Sequence, residues 1–352
     1  MMIQRKLRRR TDRASRIFTV FPAMMILTLS ASCLLATTSA RAQSTDPAVV
    51  GKWSEVQDWP VRAIHMNLLP TGKVMFWTRH PEGFPPYLWD PDTSALAGAL
   101  PTAGWQEFCA SHVLLADGQM LLTGGHLTAD GHGAPHAALY NSFTNTWTRQ
   151  PDMNNGRWYP SSVLLGNGDV VVLSGSYNTS YANNMMPQVF SNGVWRNLTG
   201  AQRFQELYPY LHLAPNGKVF LSGPVQSTYY LDTAGNGSWI YVGERKFPNR
   251  DYGCSVMYGD GKVFFAGGGD PPTETAEVID LNAPVPTWRY VGSLSKQRRQ
   301  INATLLPDGK ILVTGGVSGP GWNDMTTPVL SSEVWDPVTE KFTTWASMAV
   351  GR

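Results

Sequence analysis

Asn302–Gly316 reads NATLLPDGKILVTGG: an apolar run, a Pro-Asp-Gly turn, a second apolar run and a double glycine. Asp-Gly suits the tight turn of a β-hairpin, which needs a positive φ. Working outward, the phrase recurs in His65–Trp77 (HMNLLPTGKVMFW), Ser111–Gly125 (SHVLLADGQMLLTGG), Ser161–Gly175 (SSVLLGNGDVVVLSG), Tyr210–Gly223 (YLHLAPNGKVFLSG) and Cys254–Gly268 (CSVMYGDGKVFFAGG). The turn glycines Gly72, Gly118, Gly168, Gly217, Gly261 and Gly309 are separated by 46, 50, 49, 44 and 48 residues. The flanking Val, Ile, Leu and Phe runs are continuous rather than alternating, so these strands are expected to be buried on both faces. After each hairpin comes an apolar-aromatic pair, a turn and a tryptophan, as in Leu139-Tyr140 to Trp147 and Val334-Trp335 to Trp345. That makes four strands per unit of about 47 residues in an all-β chain. No segment shows helical periodicity. A β-sandwich with regular turns is the competing all-β reading, and the uniformity of the repeated phrase argues against it.

Units of this length with a double glycine and a spaced aromatic-tryptophan pair resemble Kelch blades, which close radially into a propeller. The expectation is a Kelch-like seven-bladed β-propeller over residues 43–352, with six full repeats present and the seventh blade incomplete. Trp53–Val56 reads as an orphan outer strand lacking its own first three. Met348–Arg352 parallels Met153–Arg157, which leads into the third hairpin, so the chain is read as a fragment that stops where a seventh hairpin begins, with a genuine six-bladed protein as the alternative. The tryptophans are expected to pack blade against blade.

Residues 1–42 are read as a secretory signal peptide: a basic start, an apolar run from Ile17 to about Ala36, and Ala40-Arg41-Ala42 before Gln43. A retained single membrane anchor is the alternative. Cleavage predicts a secreted or periplasmic protein with no membrane attachment. The whole chain holds 28 basic and 26 acidic residues. Residues 1–42 carry eight and one of these, so the remainder holds 20 and 25 and is acidic. A nucleic-acid partner would call for a basic face and is not expected. Of three cysteines, Cys109 and Cys254 lie in the repeats, three units apart, and are read as unpaired.

The hairpin openings differ from one another. Phe108-Cys109-Ala110-Ser111-His112 opens the second, Gly156-Arg157-Trp158-Tyr159-Pro160-Ser161-Ser162 the third, and Asp251-Tyr252-Gly253-Cys254 the fifth; Ser174-Gly175-Ser176-Tyr177 ends a strand of the third. In this order on a Kelch propeller, these phrases resemble the copper-radical oxidases of the galactose oxidase and glyoxal oxidase family. The resemblance implies a thioether between Cys109 and the ring of Tyr159. It also implies copper bound through the Tyr159 oxygen and a radical held on that ring. Tyr177, 18 residues later, is assigned the stacking role. The implied reaction oxidises a primary alcohol, aldehyde or carbohydrate substrate with O2 to give H2O2. The pairing has a chemical logic. Copper supplies one electron equivalent, an oxidised phenol supplies the other, and phenolate and imidazole suit Cu(II).

The chain departs from the family in its ligand set. The family's second tyrosine and its two histidines would follow Arg352, in the seventh hairpin and near a C-terminal β-sandwich domain. The chain is therefore expected to be inactive alone. A non-catalytic Kelch propeller that binds carbohydrate or a cell-surface partner is the alternative. His126, His132 and His136 follow a strand end in a Gly-rich loop, but a spacing of six and four in a loop fixes no metal geometry. His112 is read as a hydrogen-bonded core histidine. Walker, Gly-x-Ser-x-Gly and His-Glu-x-x-His motifs are absent.

Overall fold

The structure, a computed structural model, describes residues 44–79, 86–99, 105–322 and 324–352. The signal-peptide reading of residues 1–42 falls outside them. Among the described residues, no helix is long and apolar enough to cross a membrane.

Each repeat folds as one four-stranded antiparallel sheet with its strands in sequence order. In the second blade, Gln106–Leu114, Met120–His126, Ala137–Asn141 and Thr146–Gln150 pair in turn, with Leu114 opposite Met120 and Tyr140 opposite Trp147. The six first strands are His65–Leu68, Gln106–Leu114, Ser161–Leu164, Tyr210–Leu213, Cys254–Gly259 and Asn302–Leu305. First strands of neighbouring blades touch: second with third, third with fourth, fifth with sixth. The described residues thus form a six-bladed propeller arrangement, where seven blades with an incomplete last one were expected.

All six turn glycines have positive φ, from 68° at Gly261 to 88° at Gly168. Burial on both faces holds along the whole of two second strands, Met120–His126 and Val170–Leu173, while Ile311–Thr314 of the sixth blade alternates buried and half-buried. It fails for the first strands. Ser161–Leu164 and Tyr210–Leu213 are half-buried along their length, because one face lines an axial cavity. Tryptophans bridge blades by donating their indole N–H: Trp77 to Glu107 O (3.0 Å), Trp195 to Pro151 O (2.8 Å) and Trp288 to Thr228 Oγ1 (3.4 Å).

Trp53–Val56 is not a strand, which corrects the orphan-strand reading. The chain enters through a one-turn helix, Pro47–Val50, started by proline at its first position and by the Asp46 side chain, which accepts from Ala48 N at 2.9 Å. The helix directs the segment alongside the last strand of the sixth blade, Lys341–Ser347, rather than into its ladder. Trp53 docks there by a single side-chain bond, its indole N–H donating to Ala346 O at 2.8 Å.

Buried arginines tie the blades together. Arg157, Arg250 and Arg298 each stand two residues before the residue that opens a hairpin, and each is fully buried. Gly125 N–H donates to Arg157 O, and Gly268 N–H to Arg298 O, from the preceding blade. Their guanidiniums turn to the third strand of their own blade. Arg250 Nε donates to Glu277 Oε1 at 2.6 Å, Arg298 pairs with Glu333, and Arg157 meets the neutral Gln188 at 3.3 Å. Burial pulls the Arg157 guanidinium down to about 9.

Candidate active site at the propeller axis

The residues that open the hairpins share one backbone device. Cys109, Tyr159, Tyr208, Tyr252 and Gln300 have φ of 64°, 64°, 48°, 57° and 57°, a region that side chains disfavour by about 1–2 kcal/mol each. Hydrogen bonds running round the axis hold them there. Tyr159 N–H donates to Cys109 O (2.9 Å), Tyr208 N–H to Tyr159 O (2.8 Å) and Gln300 N–H to Tyr252 O (2.8 Å). Clustered strain of this kind points to function. Here it turns side chains that would otherwise follow the strand pleat into one cavity of about 520 Å³, lined among others by Cys109, Tyr159, Tyr208, Tyr252, His65 and His112.

Cys109 and Tyr159 come together. The Cys109 thiol and the Tyr159 hydroxyl share the cavity lining, close enough for each to perturb the other's proton affinity. Burial pushes the thiol well above its ordinary range, and burial followed by the nearby thiol pushes the phenol well above its own. Both groups are therefore neutral at pH 7. Joining the sulfur to a ring carbon removes two hydrogens, as two protons and two electrons, so it takes an oxidant whatever the protonation state of the thiol. Cys254, also buried, lies elsewhere; both cysteines are free, and burial lifts the Cys254 thiol to about 12.

Aromatic rings cover Tyr159 on both faces. Trp158 stacks at 3.8 Å and 10°, and Tyr208 at 4.3 Å and 20°. Tyr177 is not among the rings packed on Tyr159. It is half-buried, and its N–H donates to Ala182 O in the loop that follows. The rings that pack on Tyr159 are thus Trp158 and Tyr208, where Tyr177 was expected. Both were legible by analogy: Trp158 precedes Tyr159, and Tyr208-Pro209 repeats Tyr159-Pro160.

His65 had drawn no role, yet its Nε2 accepts the Cys109 N–H at 3.0 Å. This bond comes from the neighbouring blade, 44 residues back, and fixes Nδ1 as the protonated nitrogen. Burial and then the neighbouring His112 pull His65 down to about 3, and burial takes His112 to about 4. His112 Nδ1 lies 3.3 Å from Asn67 Nδ2. In the second-blade loop the three imidazoles are engaged separately: His132 with Thr128 Oγ1 (2.7 Å), His136 with Asp152 Oδ1 (3.1 Å), and His126 near Asp130 (3.8 Å).

Tyr159 offers one phenol oxygen to a metal. Among the described residues no group of three or more His, Cys, Asp or Glu could hold a metal ion, and the imidazoles nearest Tyr159 already have partners. These residues do not by themselves make a copper site.

Residues 99–249, which contain Cys109 and Tyr159, match the family model described as Glyoxal oxidase N-terminus. Over this stretch the chain resembles the galactose oxidase and glyoxal oxidase family. It is 27% identical to galactose oxidase of Gibberella zeae over 83% of this chain and 48% of that protein. It is 24% identical to aldehyde oxidase GLOX of Vitis pseudoreticulata over 59% and 44%. A solved fungal alcohol oxidase of the AA5 family, in complex with copper, superposes with a TM-score of 0.76 at 26% identity, over 86% of this chain and 69% of that one. The chain spans about half the length of the curated relatives it matches.

Proposed function

We propose that this chain is the propeller portion of a secreted copper-radical oxidase and carries the pair that becomes the thioether cofactor. The observation behind this reading is the Cys109 thiol beside the Tyr159 hydroxyl in the lining of one axial cavity, both residues on strained backbone. Sulfur on the ring makes the phenol more electron-rich and easier to oxidise. The related alcohol and aldehyde oxidases support an alcohol or aldehyde substrate. A primary alcohol or aldehyde, O2 as oxidant and H2O2 as product complete the proposal. Copper belongs to this proposal with Tyr159 as a ligand, and its remaining ligands must come from outside the described residues. The protein's own contribution is positioning. His65 holds the Cys109 backbone, the axial ladder fixes Tyr159, and Trp158 and Tyr208 keep water from the ring faces.

A seventh, Kelch-type blade is part of the same proposal. Gly316 N–H donates to Arg352 O at 2.9 Å, repeating on the sixth blade the contacts of Gly125 with Arg157 and Gly268 with Arg298. In both of those the arginine leads into another blade.

The test is differential alkylation after incubation with Cu(II) in air. Cys109 is expected to lose its reactive thiol in step with Tyr159, while Cys254 keeps its own, and Tyr159→Phe is expected to restore Cys109. Peroxide assays with primary alcohols and aldehydes are expected to show no turnover by this chain. Turnover would refute the need for further ligands. A Cys109 that stays alkylatable would favour a binding propeller.

A further inference from the structure

Tyr159 is half-buried in the cavity lining, and its ring also belongs to a stack that reaches the outer surface. Trp158 lies on it at 3.8 Å, and Tyr181 meets Trp158 edge-on at 5.5 Å. Trp158 is 6% exposed and Tyr181 is 53% exposed. On the other face the stack stops at Tyr208, which is half-buried and lines the cavity, with its hydroxyl donating to Ala110 O at 3.3 Å. Among the described residues, the ring contacts that lead from Tyr159 away from the cavity run through Trp158 and Tyr181. Tyr181 has φ of 58°, and its N–H donates to Asn178 O. Its ring lies over Gly131, where a Cβ would sit 3.2 Å from the ring and 2.9 Å from Asn178 O. The Trp158 indole N–H is buried without a conventional hydrogen-bond partner and lies against the Cys109 sulfur.

We infer that Tyr159, Trp158 and Tyr181 form an electron relay through which a bulky outer-sphere one-electron oxidant, too large for the axial cavity, oxidises Tyr159 from the surface. The inference rests on the reading of Tyr159 as the residue that carries the oxidising equivalent. It adds a second entrance for that equivalent, separate from the cavity that receives substrate. In the net step the oxidant gains one electron and Tyr159 becomes a neutral phenoxyl. The Tyr159 proton passes to solvent in the cavity. Trp158 and Tyr181 are each oxidised in passing and return to their starting states. Tyr and Trp rings are the side chains suited to this, because their oxidised forms are within reach of ordinary oxidants and those of Phe are not.

The probe is photogenerated tris(bipyridyl)ruthenium(III), a substitution-inert oxidant confined to the surface, applied to the metal-free protein. The readout is the tyrosyl radical in a freeze-quenched electron paramagnetic resonance spectrum. The Tyr159 contribution is defined as the part that disappears in Tyr159→Phe, which sets aside exposed tyrosines such as Tyr241 and Tyr290. Tyr181→Phe and Trp158→Phe are expected to lose most of this contribution and leave the rest of the spectrum in place. Tyr181→Phe keeps the ring on Gly131 at an exposed position, so folding does not complicate it. A Tyr159 contribution unchanged in both variants, or absent from the unmutated protein, overturns the relay. The experiment needs neither copper nor the thioether, so a failed relay and a failed oxidase reading give different results: the second is decided by Cys109 alkylation.

Discussion

Glu277 and Glu333 occupy the same place in two successive blades, and the structure predicts that removing their charge has unequal cost. Glu277 is fully buried and serves two arginines: it accepts from Arg250 Nε at 2.6 Å and lies 3.7 Å from Arg245. It also accepts the Lys246 N–H at 2.7 Å. Glu333, 1% exposed, serves Arg298 alone and accepts the Ser295 N–H at 2.8 Å. Breaking a buried pair by deleting one charge costs about 3–5 kcal/mol, because the partner stays buried and uncompensated. The third blade moderates the estimate. There Gln188 already stands at this position, and Arg157 survives on carbonyl and amide acceptors with its proton affinity lowered. Glu333→Gln recreates that situation and should fall near 3 kcal/mol. Glu277→Gln strands two guanidiniums and should reach about 5 kcal/mol. In a chain of this size the melting temperature falls by about 2 °C per kcal/mol, so the expected drops are about 6 and 10 °C. Thermal and urea unfolding followed by tryptophan fluorescence would measure both. Equal losses, a larger loss for Glu333→Gln, or no loss in either would refute the reasoning.

Acid should destabilise the protein before its carboxylates are titrated. His65, His112 and His212 are held by burial at about 3, 4 and 4, against about 6.5 in the unfolded chain, so the unfolded state binds protons first. Stability is full above pH 6.5 and falls as the pH drops toward 4, by about 2 kcal/mol per histidine after discounting for the cavity they line. Urea midpoints measured across that range check it, and a flat profile would contradict it. Gly124→Ala should cost about 2 kcal/mol or more, since its φ is 78° and a Cβ would sit 2.4 Å from Arg157 O; unfolding measurements apply again. His65→Ala should slow the loss of the Cys109 thiol under copper and air while leaving Cys254 unaffected, because it removes the acceptor for the Cys109 N–H.

The hairpins were legible because their chemistry is local: each Gly in the turn phrase takes the positive φ that Asp-Gly and Asn-Gly announce. The candidate pair Cys109 and Tyr159 was named through family resemblance, and the structure brings the two side chains together. What surrounds them was less legible. The Cys109 to His65 bond spans two blades, and no local pattern records it. Which ring covers Tyr159 depends on the twist that φ of 64° imposes at the hairpin opening, so a spacing of 18 residues pointed to Tyr177 when Trp158 lay adjacent. The arginines escaped notice because charge ordinarily marks surface. The signal was present in the Gln188-Val189, Glu277-Val278 and Glu333-Val334 steps, one polar residue recurring within an otherwise buried third strand. Trp53–Val56 carried strand-like residues, but the Asp46-Pro47 helix start directed the chain elsewhere.

The most direct test of the account is peptide mass spectrometry of the protein after exposure to Cu(II) and air. The account predicts a linked pair of peptides containing Cys109 and Tyr159, lighter than their sum by two hydrogen atoms and absent from Cys109→Ser and Tyr159→Phe. Separate, unmodified peptides with Cys109 fully alkylatable would contradict it.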